Sequence, residues 1–418
     1  MLWRDYPAYA SAKYPRPVKL QQSSVSPDEY VLVLDLLGEG LGVKLLHGKK
    51  VLDAYFTPLS LRDLENDVYR FRRPFEQVKL KQFDMELAEA LYAKLLARPL
   101  KLVPRGSPVS IIPDGFLALL PFEALVVQGE AHWQNGPWGP YPQGITYAGD
   151  LHPFSYYQSV TALTIVRTLM SKSASGNRLL VMADPVFAIT DARAQHMTEE
   201  VRWAKNENSS DFRLMAAVEE EAGGSLTLNR LAGTGELAED LRKLYGMDAD
   251  VFLALQASKE TLLRRVAPKL DTYNYAVFAT HGFAGNSIPG IMEPVLALTM
   301  VPPGTDGLLS ASEVAGLRMD ADVAALTACQ TGMCLRLAGE GVLSMGRAFQ
   351  LAGARSVIMS LWSVSETSSV KLMESFFRNL REGKSKLEAL SAAKAELRNA
   401  GFEHPFFWSA FVLVGETK

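Results

Sequence analysis

From residue 177 onward the chain alternates short apolar runs with segments of helical period. The runs are Leu179–Met182, Val251–Ala254, Tyr275–Thr280, Val323–Thr327 and Ser356–Leu361. Helix-period segments over 235–245, 258–267, 340–352 and 365–382 separate most of them. Unbroken apolar runs, rather than alternating ones, belong to strands covered on both faces. Strands alternating with helices predict a mostly parallel sheet flanked by helices, an α/β fold. Such sheets gather functional residues where the carboxyl ends of strands meet loops.

The first part of the chain reads differently. Residues 1–27, rich in Pro, Tyr, Lys and Ser, read as a lead-in or linker. Tyr30–Leu37 and Leu41–His47, split by Gly-Glu-Gly, read as strands of a hairpin or meander. Residues 60–98 carry Phe83, Leu87, Leu91 and Leu95 at helical spacing, and Pro99 and Pro104 end that stretch. Val109–Ile112 and Phe116–Leu120 flank Pro-Asp-Gly and predict two strands joined by a turn. Residues 129–156, rich in Gly, Pro and aromatics, predict a long loop. The expected organisation is a lead-in over 1–27, an α/β half over 28–170 and a second half over 171–418. A polar insertion at 187–226 interrupts the second half, with Asn206, Asn208, Asp211 and Glu219 to Glu221. It reads as surface. The sharper reading is a regulatory or cleavable loop offering Arg193, Arg202, Lys205 and Arg213.

Composition narrows the chemistry. A formal charge of −3 over 418 residues gives no basic field, so no direct nucleic-acid binding is expected. The start has no apolar run fit for a signal peptide, and Pro121 and Glu123 break the greasiest stretch, Phe116–Val127. A cytoplasmic protein with no membrane partner is expected. Two cysteines, Cys329 and Cys334, exclude a disulfide scaffold and a four-cysteine zinc site, but leave room for one reactive thiol. No phosphate-cradling loop, G-x-S-x-G elbow, H-E-x-x-H or C-x-x-C is present, and no metal or cofactor is expected.

A thiol nucleophile needs a base, usually His. His281 follows the run Tyr275–Thr280 and precedes Gly282, which puts it at a strand's carboxyl end. Cys329 follows Val323–Thr327 in the same way. Two strand ends of one parallel sheet can present His and Cys to one crevice. His281 lies 48 residues before Cys329, close to the caspase spacing of about 50, although the string around Cys329 is not the caspase one. A strand-end Cys is by itself commonly a buried small hydrophobe. Cys334, with no strand before it, reads as packing. The opposite order, Cys329 with the later His404, is a minor rival.

The strings Ala276–Gly282, Leu326–Gly332, Gly339–Trp362, His404–Gly415 and Ile112–Leu125 resemble the CHAT family of caspase-like cysteine proteases, often fused to tetratricopeptide repeats. The resemblance spans 28–416, and 5–20 resemble the lead-in that follows such repeats. More distantly the chain is similar to separase. The resemblance implies a caspase–hemoglobinase-type sheet with an N-terminal pseudo-caspase-like half and a catalytic half over 171–418. It implies His281 as general base and Cys329 as nucleophile of an endopeptidase acting on protein substrates. It makes the backbone N–H groups of Gly282 and Cys329 the expected oxyanion donors. By similarity to separase, the basic-side-chain pocket falls at Trp362, Ser365 and Glu366, and many family members carry Asp where this chain has Ser365 or Glu366. The plainer reading of Glu366 is a first-turn acid of the next helix, and Trp362 reads equally as core. His404 falls in a string implying a structural role. A regulatory partner or a fused repeat domain is expected. No feature fixes an oligomeric state. The rival function is a catalytically silent caspase-like interaction module.

Overall fold

A computed structural model describes residues 17–169, 176–194, 228–285, 288, 290–301, 306–327 and 340–418. The chain divides into two compact units. The first takes Met1–Ser171, Ala338–Leu343 and Ser375–Lys418, and the second takes Lys172–Leu337 and Ser344–Glu374. The last 44 residues thus join the first unit, rather than the half expected over 171–418.

In the first unit, β1 (Tyr30–Leu37), β2 (Gly40–His47) and β3 (Lys50–Pro58) form an antiparallel meander. Its turns fall at Gly38 and Gly48, both with positive φ, a conformation that glycine adopts freely. The helical pattern over 60–98 resolves into α1 (Leu61–Glu76) and α2 (Met85–Leu95). Ser60 and Asp84 cap them by accepting the Asp63 and Leu87 N–H groups. Leu87, Leu91 and Leu95 are buried on one face of α2.

β4 (Val109–Pro113) forms as expected, but Phe116–Leu120 is not a strand. Gly115 takes φ +51° and the chain enters a 3-10 turn over Gly115–Leu119. Asp114 fixes the bend: its carboxylate accepts the Leu36 N–H, and its own N–H donates to the Leu34 carbonyl. The turn buries Phe116, Leu117 and Leu119 without a second strand.

The loop expected over 129–156 is largely a hairpin, β5 (Val126–Gly136) and β6 (Gly139–Tyr147), followed by β7 (Phe154–Tyr156). Trp138 stacks on Phe402 at 4.6 Å. The first unit's sheet runs β3-β2-β1-β4-β7 and then the closing strand Phe411–Gly415.

The second unit matches the apolar-run pattern. Its sheet holds β8 (Leu179–Pro185), β9 (Ala249–Ala254), β10 (Tyr275–Ala279), β14 (Val323–Leu326) and β15 (Ser356–Ser360). The order is β15-β14-β10-β8-β9, parallel at every neighbouring pair. Beyond β10 the chain adds a small antiparallel sheet of β11 (Gly282–Phe283), β12 (Val295–Ala297) and β13 (Leu308–Ser310). Helices Ala232–Tyr245, Glu340–Ala352 and Glu366–Arg381 lie where the period predicted them, whereas 258–267 holds a π turn running into a 3-10 turn. Among the described residues, no helix is long and apolar enough to cross a membrane.

Candidate active site

β10 and β14 are adjacent and parallel, with Phe278 opposite Leu326. The chain therefore leaves β10 at Thr280-His281 beside the point where it leaves β14 at Thr327, whose N–H donates to the Phe278 carbonyl. Cys329 and Cys334 lie outside the described residues, as do 195–227 of the polar insertion. Of the insertion's basic positions, Arg193 is described, and its guanidinium is bound to Asp191 and Asp184.

His281 is 3% exposed. The Thr280 hydroxyl donates to the Ala297 carbonyl, and the His281 carbonyl accepts the Ala297 N–H at 2.9 Å. These bonds fix the backbone on both sides of the ring. The imidazole lies against Phe187 and Phe283, at 5.2 and 6.5 Å between centroids. Its Nε2 is 2.8 Å from the carbonyl oxygen of Asn229. A carbonyl can only accept, so Nε2 carries the proton and Nδ1 keeps the lone pair in the neutral ring. Burial pulls the His281 pKa below its ordinary value; the Asn229 carbonyl and the Glu366 charge act in the opposite sense. At neutral pH the ring is an uncharged base with one defined tautomer.

Gly282 stands opposite Leu296 in β12. Leu298 donates to Gly307, and Ala311 donates to Pro294, so alternate residues 294, 296 and 298 direct their polar groups toward β13. Ala297, one residue out of phase, bonds to His281. Antiparallel pairing alternates in this way, and it turns the Gly282 N–H away from β12. A backbone donor next to the imidazole is therefore not consumed by the sheet.

The pocket candidates after β15 divide. Trp362 is fully buried, which favours the core reading over the pocket wall. Ser365 caps helix Glu366–Arg381: its hydroxyl accepts the Ser368 N–H at 3.2 Å, and its carbonyl accepts from the Ser368 and Ser369 hydroxyls. Glu366 opens that helix and faces the site. Its Oε1 accepts the Thr234 N–H at 3.3 Å, and its charge acts on both His281 and Arg230.

Sequence reasoning missed Asn229, Arg230 and Asp184. The strand-end rule that found His281 applies to Asp184, at the end of β8, and would have found it. Asn229 and Arg230 follow the polar insertion and carry no local signal. His404, the rival base, belongs to the first unit. Its Nδ1 accepts the Phe406 N–H and its Nε2 donates to the Leu80 carbonyl, so both nitrogens are used.

The sequence profile described as CHAT domain matches residues 85–416. Tetratricopeptide repeat protein 28 of Homo sapiens is 31% identical over 115 residues, 27% of this chain and 5% of that protein. The chain thus spans a small fraction of that relative's length. Separase in the Saccharomyces cerevisiae separase–securin complex aligns over 93% of this chain and 30% of its own, with TM-score 0.50 and 10% identity. The Porphyromonas gingivalis RgpB pro- and mature-domain complex aligns over 85% and 76%, with TM-score 0.41 and 10% identity. The likeness to separase shows a caspase-like α/β fold.

Proposed function

The chain belongs to the CHAT domain family, and from that premise we propose that it is a cysteine endopeptidase with Cys329 as nucleophile and His281 as base. The observation that carries the reading is the buried His281 ring, held at Nε2 by the Asn229 carbonyl, at the end of the strand next to β14. A ring fixed in this way offers Nδ1 to a thiol proton. The thiolate attacks a peptide carbonyl, and the imidazolium returns the proton to the leaving amine. The tetrahedral oxyanion needs preorganised donors. The Gly282 N–H, turned away from β12, is one, and the Cys329 N–H is the second.

Glu366 is the residue we propose to receive a Lys or Arg side chain of the substrate, since a carboxylate matches a guanidinium fork. Similarity to a tetratricopeptide repeat protein supports control by a fused repeat domain or a regulatory partner.

The test compares cleavage of a peptide library by wild type, Cys329→Ala and His281→Ala. Both variants should fall to background. Equal cleavage by all three would overturn the assignment. Labelling of Cys329 by an acyloxymethyl ketone, with and without the repeat-bearing partner, separates a protease awaiting activation from a silent interaction module.

A further inference from the structure

Three consecutive residues grip the candidate site by different means. Leu228 packs on the apolar cluster of Phe283, Ile288, Ile291 and Val295. Asn229 gives its carbonyl to His281. Arg230 places its guanidinium on Asp184, with Nε 3.0 Å from Oδ1 and Nη2 2.7 Å from Oδ2.

Asp184 is itself a fixed anchor. It is 5% exposed and takes φ +47° at the end of β8, a conformation Asp tolerates better than most residues. Its N–H donates to the Thr234 hydroxyl at 3.0 Å, and that hydroxyl donates to the Leu231 carbonyl. Arg193 supplies a second guanidinium, 2.8 Å from Oδ2 and 2.8 Å from the Asp184 carbonyl.

We propose that the Asp184–Arg230 ion pair is a latch that seats the Asn229 carbonyl on His281, making both positioning residues for the imidazole. The link is covalent geometry. The Asn229 C=O and the Arg230 N–H share one planar peptide unit. Turning the Asn229 Cα–C bond to lift the carbonyl off His281 swings the Arg230 Cα and pulls its guanidinium from Asp184, and a flip of the plane about its Cα–Cα axis forces a new φ on Arg230. Residues 228–231 lie outside any helix or strand, so no ladder bond would otherwise fix that peptide plane. The Asn229 bond in turn decides which ring nitrogen holds the proton. Setting the tautomer does not depend on the endopeptidase reading; its catalytic consequence rests on it.

The experiment uses the full chain labelled with 15N-histidine, the His281 signals being assigned by their loss in His281→Gln. Wild type should show one tautomer, protonated at Nε2. Arg230→Ala should show a mixture of tautomers, and Arg230→Lys should recover the wild-type pattern in part. Arg193 still pairs with Asp184 in Arg230→Ala, so its Tm should stay within about 3 °C of wild type. If that variant does not fold, Arg230→Gln keeps the side-chain stem and should give the same mixture. In peptide cleavage, Arg230→Ala should lose about 10- to 100-fold in kcat with KM within about twofold, as misplacement of a reacting group does. A single wild-type tautomer in a folded Arg230→Ala, or mixed tautomers in wild type, overturns the latch. Absence of cleavage by wild type with its partner would instead count against the protease reading, and the tautomer spectra would still decide the latch.

Discussion

Asn229 precedes His281 by 52 residues, yet its carbonyl oxygen lies 2.8 Å from the imidazole Nε2. Two effects oppose each other at this ring. Burial disfavours the imidazolium, while the carbonyl and the Glu366 charge favour it, and burial wins. The His281 pKa should therefore fall below the ordinary value of about 6.5, and base function should persist into mildly acidic solution before failing as pH drops. Glu366→Gln removes one of the two supports for the cation. It should move the His281 titration, followed by NMR, and the acid limb of cleavage further toward low pH. A shift to higher pH in that variant would contradict this account.

Trp362 separates a core residue from a pocket wall. It is fully buried and follows β15, whose five residues are all buried. Trp362→Ala should cost roughly 3–5 kcal/mol, as large-to-small core changes do, read as a lower urea midpoint. Trp362→Phe should fold and keep the wild-type preference for the substrate side chain. A changed preference with unchanged stability would place Trp362 on the pocket after all.

Much of the second unit could be read directly. Strands β8, β10, β14 and β15 are buried on both faces, so each shows as an unbroken apolar run, and His281 stands at a run's end. The hairpin β5/β6 could not be read, because β5 is mostly exposed, β6 is mostly half-buried, and no alternation of apolar and polar positions marks either strand. Pro140 and Pro142 also argue against a strand, yet they fit where, among the described residues, β5 is the one strand paired with β6. The Phe116–Leu120 run misled for the opposite reason: it is fully apolar, but Asp114 and Gly115 bend it into a turn. Ser365 and Glu366 were placed at a helix start by pattern alone. Only the fold distinguishes them: Ser365 is consumed as a cap while Glu366 accepts the Thr234 N–H. The Asp184–Arg230 pair joins residues 46 apart by charge alone, and no periodicity marks such a pair.

In the first unit, Glu123 is buried and accepts from the Tyr156 hydroxyl at 2.6 Å and from Lys394 Nζ at 3.1 Å. Glu123 and Lys394 line a cavity of about 250 Å³. Lys394→Met leaves a buried carboxylate without its cation, which costs about 3–5 kcal/mol in dry sites. Arg398, which lines the same cavity, places the expected loss at the low end, about 3 kcal/mol. Adding Glu123→Gln to Lys394→Met should recover most of it, because the orphaned charge is gone. Urea unfolding of the single and double variants checks this; equal stability of the two would mean the pair is not coupled.

His404 gives the sharpest pH prediction. Its Nδ1 accepts the Phe406 N–H at 3.0 Å, its Nε2 donates to the Leu80 carbonyl at 3.1 Å, and Phe75 and Phe83 pack edge-on against it. Burial pushes its pKa down to about 4. Protonating Nδ1 would aim a second N–H at the N–H of Phe406, so the folded state resists the charge. An unfolded chain takes that proton near pH 6.5. The unfolded state therefore binds more protons between these values, and stability falls as pH falls. The contribution is whole above about 6.5 and is lost by about pH 4, a total of about 3 kcal/mol at 1.36 kcal/mol per pKa unit. His404→Asn keeps a side-chain acceptor for the Phe406 N–H, since Asn is a favourable helix cap, and it removes the titration. Between pH 7.5 and 4.5 the wild type should therefore lose about 2–3 kcal/mol more than His404→Asn in urea unfolding. Parallel losses would mean that His404 titrates equally in both states, which its burial between two phenyl rings and two committed nitrogens argues against.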